Sequence, residues 1–559
     1  MKKSLSCSIF FIVIGLFVAG QPIFNSRGIE LKHRLTAEEA VMYDYVTVTT
    51  EPTAPPTGSL RPIAEFEPAE AVLIAYPNTF GIPMSLIVEM AKDIKVITIV
   101  PNTNAKNSVL TQYTNAQVNT NNCEFLIQNL DSYWTRDYGP WFFAVDNAVV
   151  SMYDFTYNRP RPNDNRINNT LATYLEMSCY ASTIQHCGGN FMNDGAFQAA
   201  STDLVLDENP SMSVSQIQQH FQEYMGITDY HFLLDPLQDY IKHIDCWGKF
   251  LGPDKVMIGQ VPASSPKYQL YENVAHYFDT TLTAYGTPYR VYRIFSSGNN
   301  SVTAYTNSLI LNNKIFVPVS GNSHDNEAIA TYQAAMPGYQ VFPISYSGWQ
   351  NTDALHCRTH EIADRCMIYV SHLPVHGTFA DTTTFTFEAD IYSYCQNDLL
   401  ADSIMVYVKD STHNEFVPYL MSNTVANHWS ASVGGLHSGT VQYYISAQDV
   451  TLKKECHPYI GSDDPHTFSL FSTDHEGIKP LQNPRGSLSV RPIPASDYVE
   501  IVTHDLLTSQ ASFYDISGKK LMEVELSNTI TGIDISALPS GFYVVKVGNR
   551  TAKLIKTAK

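Results

Sequence analysis

Ala71-Val72-Leu73-Ile74-Ala75-Tyr76, then Met84 to Lys92, then Lys95-Val96-Ile97-Thr98-Ile99-Val100 reads as strand, helix, strand. Two short apolar runs flanking a helical segment are the alternation of an α/β domain. Working outward, order begins near Arg61, and similar strand signals return at 145–155, 254–260, 307–318 and 366–371. The α/β region therefore spans 61–375.

The pattern changes beyond Val375. Phe385 to Ile391, Ile404 to Val408 and Val441 to Ala447 alternate with period two, separated by Gly, Asn and Asp turn residues and without a convincing helix. This predicts an immunoglobulin-like β-sandwich over 376–475. A turn-rich link over 476–486 precedes a further all-β module at 487–559. Upstream, residues 21–60 end in a proline- and threonine-rich run that reads as an extension or linker. Met1-Lys2-Lys3, the apolar run Ile9 to Ala19 and the small residue Gly20 have the order of a secretory signal peptide, giving 1–20 as that segment. No later stretch is apolar for long enough to span a bilayer.

The 559 residues, 44% hydrophobic and 12% aromatic, suffice for several cored domains. Lys plus Arg number 35 against 54 for Asp plus Glu, and a net charge of −19 argues against nucleic acid or an anionic membrane as partner. A cationic substrate suits this field. Of nine cysteines, Cys7 falls in the signal peptide, and the rest (Cys123, Cys179, Cys187, Cys246, Cys357, Cys366, Cys395 and Cys456) are too sparse for a disulfide framework whose connectivity could be deduced. Cys357 is expected to stay free.

The chemistry concentrates at Thr352-Asp353-Ala354-Leu355-His356-Cys357-Arg358-Thr359-His360-Glu361. A lone cysteine among ionisable neighbours is a candidate nucleophile, and it needs a proton-shuttling histidine that can lie far away in sequence. Tyr240-Ile241-Lys242-His243-Ile244-Asp245-Cys246-Trp247-Gly248 offers His243 and Asp245, which on an extended strand would share one face. His356 and His360 are spaced i, i+4, which on a helix would suit a metal, but the HExxH order is absent. Taken singly, each residue has an ordinary structural reading: Cys357 or Trp134 in a core, Asp137 in an ion pair with Arg136, Asn307 as a strand cap, Arg159 and Arg161 as a solvated pair.

Jointly the residues resemble a known family. Ser132-Tyr133-Trp134-Thr135-Arg136-Asp137-Tyr138, Tyr157-Asn158-Arg159-Pro160-Arg161-Pro162-Asn163-Asp164, Gly188-Gly189-Asn190, His243 to Lys249, Tyr305 to Leu311 and the Cys357 stretch are similar, in this order, to porphyromonad-type peptidylarginine deiminases. These are secreted members of the guanidino-modifying (pentein) superfamily related to agmatine deiminases. The resemblance implies five ββαβ blades about a pseudo-fivefold axis. It also implies Cys357 as nucleophile, His243 as general acid/base, Asp137 and Asp245 on the guanidinium and Asn307 completing the set. Trp134, Tyr240 and Thr352 would line the substrate, with Arg159 and Arg161 on the α-carboxylate of a C-terminal arginine. No cofactor is implied, no EF-hand-like loop is present, and structural calcium or sodium is left open.

The last module resembles the sorting domains of the type IX secretion system through Ser487 to Asp497, Phe513 to Lys519, Ile533 to Tyr543 and the basic tail Lys553 to Lys556. It departs from their pattern at Arg491-Pro492-Ile493-Pro494, where Tyr-Pro-Asn-Pro is usual. The expected location is secreted or at the outer-membrane surface of a Bacteroidetes-type bacterium, with the type IX machinery and arginine-containing peptides as partners. Two other readings stay open: a deiminase of a small guanidine such as agmatine or free arginine, and a non-catalytic adhesion protein on the same scaffold. A missing catalytic residue would favour the second, and the set is complete.

Overall fold

A computed structural model gives the fold and describes residues 30–42, 51–299, 301–473, 488–492, 495–503, 510–515, 518–526, 528–548 and 550–557. The expected signal peptide and the link at 476–486 lie outside the described residues. The chain divides into two compact units, Met1–Phe471 and Ser472–Lys559.

Between residues 60 and 363 the strands form five separate sheets that repeat one pattern. Trp141–Val145 and Val149–Tyr157 pair antiparallel, then the helix Ile167–Leu175 leads to Cys179–His186, parallel to its neighbour. A tight turn suffices for the antiparallel partner, here with Asp146 and Asn147 both at positive φ, whereas a parallel return needs a crossover. The second sheet runs Met192–Asn193, Gln198–Thr202, helix Val214–Met225, Asp229–Leu233. The third runs Gly248–Gly252, Lys255–Gln260, helix Tyr268–Thr280, Arg290–Phe295. The fourth runs Leu309–Leu311, Lys314–Val319, helix Asp325–Ala335, Gln340–Ser345.

The fifth sheet joins the two ends of this region. His360–Ala363 lies antiparallel to Ala69–Ala75, which continues through Met84–Met90 to Lys95–Val100 and through Thr103–Asn115 to Cys123–Ile127, both parallel. Only Glu70 in Ala69–Ala75 is not buried, which is why this strand reads as a continuous apolar run rather than an alternation.

The next two sheets enclose one core. Ile368–Ser371, Phe385–Ser393, His428–Val433 and Ser422–Val425 form one sheet, and Thr378–Ala380, His466–Phe471, Gly439–Gln448, Met405–Lys409 and Val417–Leu420 the other. Phe385, Phe387, Ala389 and Ile391 pack with Val406, Val408, Val441, Tyr443 and Ile445. Strand Ile368–Ser371 pairs with Phe385–Ser393, so the sheet begins N-terminal to residue 375. Cys366 and Cys395 form a disulfide beside it, a pairing that spacing did not reveal. In the second unit, Leu488–Arg491, Tyr498–Thr503 and Ile530–Asp534 form one sheet, and Lys520–Glu525, Gln510–Asp515, Gly541–Val547 and Arg550–Lys556 another, with Val499, Ile501, Phe513, Val545 and Leu554 in a shared core.

Candidate active site

Five short segments meet at one point, each just ahead of the leading strand of a sheet. The helical turn Thr135–Tyr138 precedes Trp141 and carries Asp137. Gly188–Asn190 precedes Met192, and Ile244–Cys246 precedes Gly248 with Asp245 inside it and His243 at its start. Asn307 lies ahead of Leu309, and His356–Arg358, holding Cys357, ahead of His360. Equivalent positions of a repeated unit converge, which brings residues so distant in sequence together.

Two expectations about local structure are corrected. His243 and Asp245 do not lie on a strand: a 3-10 turn carries Asp245, and Lys242 before it takes φ +52°. That turn is anchored by Asn190, whose Oδ1 accepts from the Ile244 N–H at 3.3 Å and the Thr202 N–H at 3.0 Å. His356 and His360 do not share a helix face, because His360 has already entered a strand.

Cys357 is fully buried. Asn307 Nδ2 donates to its Sγ at 3.2 Å, and Asn307 Oδ1 accepts from the Cys357 N–H at 3.3 Å and the Ala354 N–H at 3.2 Å. Sγ lies 3.6 Å from Asp245 Oδ2. Burial, followed by Asp245, Asp137 and Asp353, pushes the thiol well above its usual range against the pull of Asn307. Burial likewise draws His243 down to about 4, opposed by Asp137 and Asp245, so its imidazole is neutral at neutral pH. Its Nδ1 lies 4.0 Å from Asp137 Oδ1. Burial alone would raise the Asp137 carboxyl, yet His33, His243 and Arg159 hold it well below the usual range. Asp245 is also held low, burial being outweighed by the bond that His356 Nδ1 donates to its Oδ2 at 2.7 Å.

Gly189 occupies the junction of the neutral His243 imidazole and the Asp137 and Asp245 carboxylates. A Cβ there would lie 2.8 Å from His243 Nδ1, 3.0 Å from Asp137 Oδ1 and 3.2 Å from Asp245 Oδ2. Only a residue without a side chain lets them close up.

The expected substrate-lining residues fall around this centre with one exception to their exposure. Trp134 is buried and leaves Nε1 without a partner, with the Arg161 guanidinium 4.8 Å from its ring centroid. Thr352 is buried and shares a 2.8 Å hydrogen bond with the hydroxyl of Tyr240, which is itself largely exposed. Arg159 is buried, donates to the Asn158 carbonyl at 3.0 Å and leaves Nε without a partner. Arg161 is not solvated either: its Nε donates to Glu39 Oε1 at 2.7 Å.

Three contributors escaped the sequence reading. Glu39 and His33 belong to a stretch whose composition reads as an extension or linker. His356, singled out only for its spacing to His360, instead donates from Nδ1 to Asp245 and from Nε2 to Glu65 Oε2 at 2.9 Å, and Lys249 holds Glu65 at 2.6 Å. Among the described residues, two trios could offer a metal three ligand atoms, His33–Asp353–Cys357 and His33–Asp137–His243. Both depend on His33, whose Nε2 already donates to Asp137 at 2.8 Å.

Residues 61–362 match the sequence model of Porphyromonas-type peptidyl-arginine deiminase, and 489–558 that of the secretion system C-terminal sorting domain. The "Putative agmatine deiminase" of Mycoplasma capricolum subsp. capricolum is 23% identical over 295 residues, covering 44% of this chain and 80% of that protein. Its namesake in Enterococcus faecalis is 22% identical over 274 residues, covering 41% and 74%. An X-ray structure titled "putative agmatine deiminase" superposes with a TM-score of 0.50 at 18% identity, covering 55% of this chain and 96% of that one, a likeness of fold.

Proposed function

Because this chain belongs to the Porphyromonas-type peptidyl-arginine deiminase family, we propose that it hydrolyses the guanidinium of peptidyl-arginine, with preference for a C-terminal arginine, to citrulline and ammonia. The observation that carries the reaction is the pair of buried carboxylates, Asp137 and Asp245, both held ionised around a fully buried thiol. A guanidinium is a flat cation with N–H donors on its edge, and two carboxylates bind it by charge-assisted hydrogen bonds.

The chemistry follows from the protonation states. The bound cation offsets the carboxylates that keep the Cys357 thiol protonated, and the thiol proton passes to neutral His243. The thiolate adds to the guanidinium carbon, and His243 returns the proton to the leaving nitrogen, which departs as ammonia. The S-alkylthiouronium is then attacked by water, with His243 taking its first proton. Collapse of this second tetrahedral adduct expels the sulfur as thiolate and releases the hydroxyl proton to the solvent and ammonia, leaving the ureido group. His243 returns its proton to the sulfur, restoring the thiol and the neutral imidazole. Asn307, bonded to Sγ and to the Cys357 N–H, fixes the sulfur through both additions. Thiol, imidazole and carboxylates account for every step, so no cofactor is called for.

Specificity for a free C-terminus is supported by Arg161, which carries a carboxylate, that of Glu39, and lies over Trp134. Agmatine has no carboxylate to place there. The decisive measurement is kcat/KM on a peptide ending in free arginine, its C-terminal amide and a version with arginine inside. Citrulline from none of them rejects the reading; equal rates on all three reject the end-preference alone.

The five repeated sheets, up to Ala363, are read as blades about a pseudo-fivefold axis, and the sandwich, which begins with strand Ile368–Ser371, as immunoglobulin-like, with the sorting domain at 487–559. The chain carries a C-terminal sorting domain, indicating a secreted or surface protein. Outer-membrane delivery through the type IX machinery is the proposed route.

A further inference from the structure

Leu31, His33 and Glu39 reach into the site from a segment whose other residues are exposed or half-buried. His33 is buried, donates from Nε2 to Asp137 Oδ2 at 2.8 Å, stands 5.3 Å from the Trp134 ring and meets the His243 ring edge-on at 5.6 Å. Ligand atoms of His33, Asp353 and Cys357 lie within 4.8 Å of one another, so the imidazole stands beside both the thiol and the Asp353 carboxylate. Leu31 packs on Trp134 and Cys357. Further along, Arg161 grips Glu39 through Nε at 2.7 Å and Nη2 at 3.2 Å, and its Nη2 also reaches the Lys32 carbonyl at 2.6 Å. Glu39 is itself pre-set: Thr36 and Glu39 exchange N–H···O bonds at 3.0 and 3.1 Å, a capping box at the start of the helix Ala37–Met42.

The chemistry of the two contacts is that of a substrate. An imidazolium is a flat, delocalised cation with N–H donors, and Asp137 with Asp353 favours this form of His33 although burial opposes it. It stands where a guanidinium must lie for Cys357 to reach its carbon. The Glu39 carboxylate stands on the guanidinium fork assigned to a terminal carboxylate.

We propose that Leu31–Glu39 is a resident ligand of the substrate site, with His33 in the place of the guanidinium and Glu39 in that of the α-carboxylate, and that turnover requires this segment to be displaced or removed. The assignment of the two places rests on the deiminase reading; the covering of Cys357 does not. By the same chemistry, the cleft binds peptide segments that present a flat cation and a carboxylate at this separation.

The test uses the full chain as wild type, His33→Ala, Glu39→Gln, the double variant, and Glu38→Gln, an exposed neighbour, as control. Two rates are followed: alkylation of Cys357 by iodoacetamide, read on its peptide by mass spectrometry, and citrulline formation from a peptide ending in free arginine. Each single substitution removes charge-assisted contacts and is expected to raise both rates about tenfold, and the double variant about a hundredfold. Glu38→Gln leaves them unchanged. Wild-type rates of alkylation and turnover in the double variant overturn the proposal. So does faster alkylation without faster turnover where the wild type already turns over. Faster alkylation with no citrulline from any form keeps the resident ligand and rejects the deiminase reading instead.

A separate set of bonds carries a second inference. His356 faces a carboxylate on each nitrogen, Asp245 at 2.7 Å and Glu65 at 2.9 Å, and since carboxylates only accept, both nitrogens donate. Glu65 is tied in turn to Lys249 at 2.6 Å and to the Ile310 N–H at 2.8 Å. We infer that His356 is a positioning residue that aims the Asp245 carboxylate at the substrate cation and offsets its charge beside the sulfur. The readout is the ratio of Cys357 alkylation rates with cationic 2-chloroacetamidine and neutral iodoacetamide, because only the cation needs an aimed Asp245. In His356→Ala this ratio is expected to fall about tenfold and KM for the arginyl peptide to rise more than kcat falls, with His356→Gln intermediate. An unchanged ratio, or equal slowing with both reagents, overturns the inference.

Discussion

Replacing Gly189 by alanine probes how closely His243, Asp137 and Asp245 must approach. The backbone of Gly189 is not in the left-handed region, so alanine adopts it without strain, and the whole effect comes from one methyl group. That methyl would lie 2.8 Å from His243 Nδ1 and 3.0 Å from Asp137 Oδ1, about 0.5–1 Å inside ordinary contact. His243, Asp137 and Asp245 are all buried and cannot swing into solvent, so the groups themselves are displaced. Overpacking of this kind costs about 1–3 kcal/mol of stability. Displacement of reacting groups by about 1 Å lowers kcat/KM on the order of a hundredfold. The assay is citrulline formation with thermal unfolding measured in parallel, and Gly252→Ala, where a Cβ meets nothing closer than 4.0 Å, is the control. If Gly189→Ala keeps more than about half of wild-type kcat/KM while Gly252→Ala behaves likewise, the tight convergence of the three groups is not a requirement of the chemistry and the reasoning fails.

Cys357→Ala should retain the wild-type melting temperature within a few degrees and lose turnover by several orders of magnitude, and residual activity above about one percent would remove the covalent mechanism. Arg161→Ala should lower the ratio of kcat/KM on the free-acid peptide to that on its C-terminal amide by about one to two powers of ten, one charge-assisted contact being worth about 1.5–3 kcal/mol, and the ratio cancels any release of Glu39; an unchanged ratio would show a merely structural residue. Glu361 tests linkage. Burial would raise its carboxyl, but Arg136 draws it down to about 2, and a folded pKa below the unfolded one means stability that is present above about 4.5 and lost as pH falls toward 2. Glu361→Gln should therefore be less stable than wild type at pH 7, by on the order of 3 kcal/mol, with the difference shrinking below pH 4.5 in denaturant titrations; a difference independent of pH would refute the ion-pair account.

Local pattern reached far in this chain. The alternation at 71–100 is strand Ala69–Ala75, helix Met84–Met90 and strand Lys95–Val100, and the period-two runs after Val375 are strands whose alternate residues face one core. Such periodicity is a property of the chain itself, because burial on one face or two leaves its mark residue by residue. Cys357, His243 and Asp245 stood out from their local patterns, whereas Asp137 and Asn307 were assigned through the family resemblance alone, and the structure brings all five together. The positions 137, 189, 245, 307 and 357 also recur at intervals of 50–62 residues, a repeat visible in sequence only once the sheets are known.

What the sequence by itself determined, then, was the inventory: the classes of fold, the chemistry available and the order of the parts. Tertiary structure alone decided which charges meet. Whether Arg161 faces water or Glu39, whether His356 serves a metal or Asp245, and whether residues 31–39 are a tether or an occupant of the site all depend on contacts between segments far apart in the chain. Hydrogen bonds and ion pairs act over about 3–4 Å of space irrespective of separation in sequence, and no periodicity records them. The linker-like composition before residue 60 was the clearest instance, since polar residues that resist packing in isolation are the ones a charged cleft can hold.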